Sequence, residues 1–63
     1  MEYCYVCVID RADTRIMLSV FTEREVSADE LLPLAIAKAI EHDAMLGINA
    51  EADDYQPIGF SLR

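Results

Sequence analysis

The sequence is short of basic residues and has no apolar run long enough to span a bilayer. Five Lys and Arg stand against twelve Asp and Glu, which gives a formal net charge of −7. Because non-specific affinity for nucleic acid comes mostly from basic side chains that meet phosphates, this balance argues against direct binding to nucleic acid or to anionic membranes. A membrane-spanning helix needs about 20 apolar residues, and the apolar runs here are far shorter. Acidity alone identifies no partner, since it also keeps a small protein in solution.

Cysteine is scarce too, and the spacing of the two cysteines does not suit a disulfide, a redox pair or a zinc site. Cys4 and Cys7 lie in a run of β-formers. On a strand their Cα atoms would be about 10 Å apart and their side chains would point to opposite faces. A disulfide tolerates about 7 Å at most, and redox or zinc C-x-x-C pairs need converging sulfurs. We therefore expect two structural thiols and, with no secretory leader in the sequence, a reducing, cytoplasmic setting.

Signatures of catalysis and of ligand binding are missing as well. His42-Asp43 has no nucleophile placed by sequence to complete a triad, so it is interpreted as a helix end. Glu51, Asp53 and Asp54 lack the spacing and the central glycine of a calcium loop. There is no glycine-rich phosphate loop. The sequence thus predicts no catalytic residue, no cofactor and no metal site.

What is present is a strand without a polar face. In Tyr3–Ile9, alternate side chains point to opposite sides of the strand, and those on both sides are apolar. A strand with one solvated face would alternate with polar residues. This strand is therefore predicted to be the centre of the fold and to need cover on both sides.

A hairpin follows, because a second run of β-formers, Arg15–Thr22, comes after the polar tetrapeptide Arg11–Thr14. The tetrapeptide predicts a four-residue loop around a type I turn. Pairing Asp10 with Arg15 fixes the register. One face then pairs Ile9 with Ile16, Cys7 with Leu18 and Tyr5 with Val20, and the other pairs Val8 with Met17, Val6 with Ser19 and Cys4 with Phe21.

A helix is predicted from Ala28 to Leu46. Ser27 and Glu30 form a capping-box pattern at its start, and Gly47 suits its end. Pro33 predicts a bend or a 3₁₀ turn in the preceding residues. The stripe expected to face the core is Leu32, Ala35, Ile36, Ala39, Ile40 and Leu46.

The last strand completes a β-β-α-β order. Ile58, Phe60 and Leu62 alternate with small or polar residues, and Pro57 places this strand at a sheet edge. A right-handed crossover puts it beside the first strand. Residues 1–63 are thus predicted to form one α+β domain, a three-stranded antiparallel or mixed sheet in the order 2-1-3 with one helix on one face.

One helix leaves one face of the sheet uncovered, an area on the order of 400 Å². To this face we assign Cys4, Val6, Val8, Met17 and Phe21, joined by Gly59 and Ser61. To the helix side we assign Ile9, Ile16, Leu18, Val20, Ile58, Phe60 and Leu62. Only the size of the side chains distinguishes the two faces, so the assignment could be reversed. Two copies that pack these faces or pair their edges would form a homodimer, but 400 Å² is short of the roughly 800 Å² per partner of a standard interface.

The leading expectation for function is a non-enzymatic, acidic protein-interaction module, a homodimer that inhibits or regulates a partner with a basic surface. A nucleic-acid-binding protein would be such a partner, and phage-type inhibitors of host defence have this general character. The acidic contact surface would include Glu51, Asp53 and Asp54, where complementary charge sets on-rate and specificity. The alternative is a small oligomeric enzyme, or a regulatory domain for a small molecule, with its site at a subunit interface.

Overall fold

The computed structural model describes residues 2–63 and has the predicted α+β architecture. Its elements are β1 (Tyr3–Arg11), β2 (Thr14–Thr22), α1 (Ala28–Met45), a 3₁₀ turn (Ala52–Asp54) and β3 (Tyr55–Leu62). The sheet order is β2-β1-β3, and both outer strands run antiparallel to β1. The most apolar strand is therefore central, as its sequence requires.

The hairpin has the predicted register throughout, from Tyr3 opposite Thr22 to Asp10 opposite Arg15. The predicted four-residue loop is wrong, because Arg11 also pairs with Thr14 and leaves a loop of two residues, Ala12 and Asp13. Ala12 takes a φ of 53°, in the left-handed region that favours glycine. An alanine gives no sequence signal for such a turn, which explains the error.

Helix α1 begins as its cap predicts. The Ser27 Oγ accepts a hydrogen bond from the Glu30 backbone N–H at 3.2 Å. The Glu30 carboxylate itself contacts Arg24, with 3.0 Å between Oε2 and Nη2. The segment is α-helical from Ala28 through Pro33, so the alternative of a 3₁₀ turn is wrong. Gly47 follows the helix with a φ of 80°, which is typical of a helix end.

The core lies between α1 and one face of the sheet. Strand residues in it are Tyr5, Cys7, Ile9, Ile16, Val20 and Tyr55. The helix contributes Leu31, Ala35, Ala39 and Asp43, each four residues from the next. The predicted stripe is confirmed at Ala35 and Ala39, which are buried, and at Ile36 and Ile40, which are partly buried against the core. Leu46 is 66% exposed, and Leu31 takes the place expected for Leu32. The buried face is thus rotated by about one residue from the stripe that side-chain size favours.

Strand β3 carries an irregularity that the sequence does not reveal. Val8 pairs with Gly59 and Ile9 pairs with Pro57, so Ile58 has no partner on β1. Ile58 and Leu62 are each 49% exposed, which corrects the expectation that they pack under the helix, whereas Phe60 does pack against the core. The bulge leaves Ile58 out of the pairing with β1, and α1 lies mainly over β2, at the opposite edge of the sheet from β3.

Candidate functional site

The face of the sheet opposite the helix has no cover among the residues that the structure describes. Tyr5, Cys7 and Ile9 are buried beneath α1, so the alternate β1 residues Cys4, Val6 and Val8 point the other way. We call the surface formed by Cys4, Val6, Val8, Met17 and Phe21 the open face. Met17 is 71% exposed and Phe21 is 56% exposed, while the three β1 residues are half-buried by their neighbours. The structure therefore places these five residues on one side of the sheet, as the alternation predicts.

The open face has almost no negative charge. The acid that shares this side of β1 is Asp10, and Arg15 binds both of its carboxylate oxygens, at 2.9 Å and 3.2 Å. This contact lowers the pKa of Asp10. Ser19 and Arg63 border Val6 and Met17 around a shallow depression of about 330 Å³. Although the chain has a net charge of −7, this side of the sheet is an apolar patch bordered by Arg15 and Arg63.

Phe21 lies near the end of β2, which is an outer strand of the sheet. The Lys38 ammonium, which comes from the helix, lies 5.6 Å from the centroid of the Phe21 ring. A cation at this distance from an aromatic ring is attracted by its quadrupole. Phe21 therefore marks the corner where the open face meets the outer edge of β2.

The predicted acidic surface lies elsewhere. Glu51, Asp53 and Asp54 are exposed around the 3₁₀ turn, and Ala52 of this turn borders α1. The Asp54 Oδ2 accepts a hydrogen bond from the Glu51 backbone N–H at 2.9 Å, so Asp54 also holds the turn in shape. Asp53 and Asp54 line a polar groove of about 530 Å³ with Arg11. These acids form one side of the molecule, separate from the open face.

Three further exposed acids, Asp13, Glu23 and Glu25, do not lie together. Asp13 is in the hairpin loop, whereas Glu23 and Glu25 follow the opposite end of β2. Nine strand residues span about 30 Å, so these groups flank the sheet at both ends. The acidic surface is therefore a discontinuous rim around the molecule.

Asp43 forms a buried cluster with two partners that are distant in the sequence and that the sequence does not indicate. Asp43 is 1% exposed, and its Oδ2 accepts hydrogen bonds at 2.6 Å from both the Arg11 Nε and the Tyr55 OH. The exposed His42 ring lies 3.3 Å from the other oxygen. The hydrogen bonds from Arg11 and Tyr55 lower the pKa of Asp43 from 3.8 to about 2. Such a weak base is unsuited to proton abstraction near neutral pH, and the cluster joins the ends of β1, α1 and β3.

The two cysteines point to opposite faces, as expected. Cys4 is half-buried on the open face, and Cys7 is fully buried beneath the helix. Burial raises the pKa of Cys7, which keeps its thiol protonated. Within residues 2–63, no cluster of three or more His, Cys, Asp or Glu side chains is arranged to hold a metal ion.

A second apolar surface lies along the flank of α1. It is a groove of about 400 Å³ lined by Leu32, Pro33, Ile36, Ala37, Ile40 and Ala52. None of these side chains is polar, so the groove has no side-chain group that would orient a small ligand. The sequence stripe assigns Leu32, Ile36 and Ile40 to the core. Ile36 and Ile40 do pack against the core, and they line this groove as well because they are only partly buried.

Comparison with protein-family models, with curated proteins and with solved structures finds no match to this chain. In the described part of the chain, no helix combines the length and the apolar character needed to cross a membrane.

Proposed function

We propose that this protein is a non-enzymatic, acidic protein-interaction module. It acts as a homodimer and inhibits or regulates a partner protein that has a basic surface. The observation that carries the proposal is the open face, an apolar surface without an unpaired acid on a molecule of net charge −7. An apolar centre with a charged rim is the usual anatomy of a protein interface.

The two kinds of surface have different roles in this proposal. Burial of Met17 and Phe21 supplies affinity, because exposed apolar area is removed from water on contact. The acids at the rim attract a basic partner and select its orientation, which raises the association rate more than the affinity. The Glu51, Asp53 and Asp54 side of the molecule would meet basic residues beyond the central contact.

The test is affinity capture from the native host with two variants that add the same charge. Met17→Glu places a carboxylate on the open face, and Ala28→Glu places one on an exposed first-turn helix position. We expect Met17→Glu to lose the proteins that the wild type retains and Ala28→Glu to keep them. Retention of the same proteins by both variants would rule out the open face as the contact.

The electrostatic part is tested separately with a Glu51→Gln, Asp53→Asn double variant. Asp54 is left unchanged because its carboxylate holds the turn. We expect slower association of the captured partner with this variant, and weaker capture by the wild type as salt is raised. A partner affinity that does not change with salt would contradict the role of the acids.

A further inference from the structure

The backbone hydrogen bonds of the sheet determine which residues of β2 face outward. The Arg63 N–H donates to the Cys4 carbonyl at 2.9 Å, so the backbone groups of Cys4 face β3. Along an antiparallel strand these groups alternate, and therefore Tyr5, Cys7 and Ile9 face β2. Their partners on β2 are Val20, Leu18 and Ile16. The backbone groups of the intervening residues then point away from β1, into the open edge: Arg15, Met17, Ser19 and Phe21.

The other edge of the sheet, on β3, is protected by features that β2 lacks. Pro57 pairs with Ile9, which faces β2, so Pro57 occupies an outward position and has no N–H to offer there. The bulge at Ile58 further breaks the line of this edge. Strand β2 has no proline and no acid, and all nine of its residues pair in unbroken register with β1. A long, regular, apolar edge of this kind is a template for another strand.

We propose that β2 pairs with β2 of a second copy, antiparallel about a two-fold axis at Leu18, to form a continuous six-stranded sheet. Only residues with outward backbone groups can exchange hydrogen bonds, so Met17 pairs with Ser19 of the partner copy. This register is the one that uses the whole of Thr14–Thr22. It also places no acid against an acid.

The side-chain contacts at the two ends of the paired segment are favourable as well. Arg15 comes opposite Phe21 of the second copy, where its guanidinium can lie against the aromatic ring. Arg15 keeps Asp10 as its carboxylate partner within its own chain, so its charge is balanced. Lys38 also lies at this corner, where it contacts Phe21 of its own chain.

This pairing would remove the area deficit of the open face. Two faces of about 400 Å² each, joined side by side, give a platform of about 800 Å², which matches one side of a standard interface. The inference rests on the proposed function for the use of that platform, but the pairing itself is a separate claim. It differs from face-to-face packing, which would bury the platform instead of enlarging it.

The test is amide hydrogen exchange by NMR at two protein concentrations. At about 100 times the dimer dissociation constant, under a tenth of the chains are monomeric, so outward amides should exchange more than about tenfold more slowly than in the monomer. We expect this protection at Met17, Ser19 and Phe21. Phe60 and Leu62, which face outward on the β3 edge, are internal controls and should exchange at the same rate at both concentrations.

Two proline variants give an independent measurement. Ser19→Pro removes an outward N–H from β2, and Leu62→Pro removes an outward N–H from β3 without touching the proposed seam. Sedimentation should show a monomer for Ser19→Pro and a dimer for Leu62→Pro. If circular dichroism shows that Ser19→Pro is unfolded, the exchange experiment on the wild type decides alone.

A wild-type monomer at all concentrations, or a dimer whose β2 amides stay unprotected, would overturn the pairing. The proposed function would survive the second result if Met17→Glu still abolished capture. Conversely, protected β2 amides together with capture that Met17→Glu leaves intact would support the pairing and contradict the open face as the partner site.

Discussion

At the scale of single residues, the Asp43 cluster most clearly links sequence to stability. A carboxylate in a core is costly unless its oxygens are hydrogen-bonded, and here Arg11 and Tyr55 both donate to it. The hydrogen bond to Asp43 also raises the pKa of Arg11, so both members of the pair remain charged. The sequence could not predict this cluster, because Asp43 is 32 residues from Arg11 and an aspartate on a helix is ordinarily taken as exposed.

We predict that the cluster sets the pH limits of folding. The folded state holds Asp43 charged with a pKa of about 2 instead of 3.8, so its stabilisation is complete above about pH 4 and is lost as the pH falls toward 2. Burial and the hydrogen bond to Asp43 raise the pKa of Tyr55 from 10.0 to about 12, so that stabilisation is lost as the pH rises from about 10 to about 12. Urea unfolding across this range measures both limits.

Asp43→Asn and Asp13→Asn test this assignment, since each removes one negative charge. At neutral pH, Asp43→Asn should lower Tm by about 5–10 °C, because it leaves Arg11 without a charged partner in the core, and it should flatten the acid limb. Asp13→Asn, in the exposed hairpin loop, should change neither. An acid limb that Asp43→Asn leaves unaltered would place its origin elsewhere.

At the scale of secondary-structure elements, the hairpin shows how much the sequence could predict. Its register follows from two apolar faces, since a slip by one residue would exchange the sides of every side chain. The sheet order follows from the rule for crossover connections, and the start of the helix follows from Ser27 as its N-cap. The bulge at Ile58 and the left-handed φ of Ala12 have no local signal in the sequence, because both depend on how the strands pair in the folded sheet.

We predict that Ala12→Gly stabilises the hairpin. A φ of 53° costs a residue with a Cβ about 1–2 kcal/mol, and the larger entropy of an unfolded glycine offsets about 0.5–1 kcal/mol of the relief. The net gain should be roughly 0.5–1 kcal/mol, read from urea unfolding. Asp13→Gly is the matched control, and it should lower stability because Asp13 is not at positive φ. Equal effects of the two substitutions would show that the loop is not strained at Ala12.

At the scale of the whole molecule, charge and apolar surface are segregated. The acids lie at both ends of the sheet, on the helix and around the 3₁₀ turn, whereas β2 and β3 contain none. Two copies of net charge −7 repel each other at long range, although the seam at which they would meet has no acid. A basic partner, by contrast, is attracted at long range by the same charges. The two proposed associations therefore depend on ionic strength in opposite ways.

We predict that salt strengthens self-association and weakens capture of the partner. Between about 0.01 M and 1 M salt the screening length falls from about 30 Å to about 3 Å, which removes the repulsion between copies and the attraction to a basic surface together. Sedimentation equilibrium of the wild type should give a lower dimer dissociation constant at high salt, while the partner dissociates faster or associates more slowly. The Glu51→Gln, Asp53→Asn variant carries less negative charge, so both dependences should be shallower for it. If both associations weakened with salt, ion pairs across the dimer seam would be required, and pairing through an acid-free β2 edge would be the wrong description.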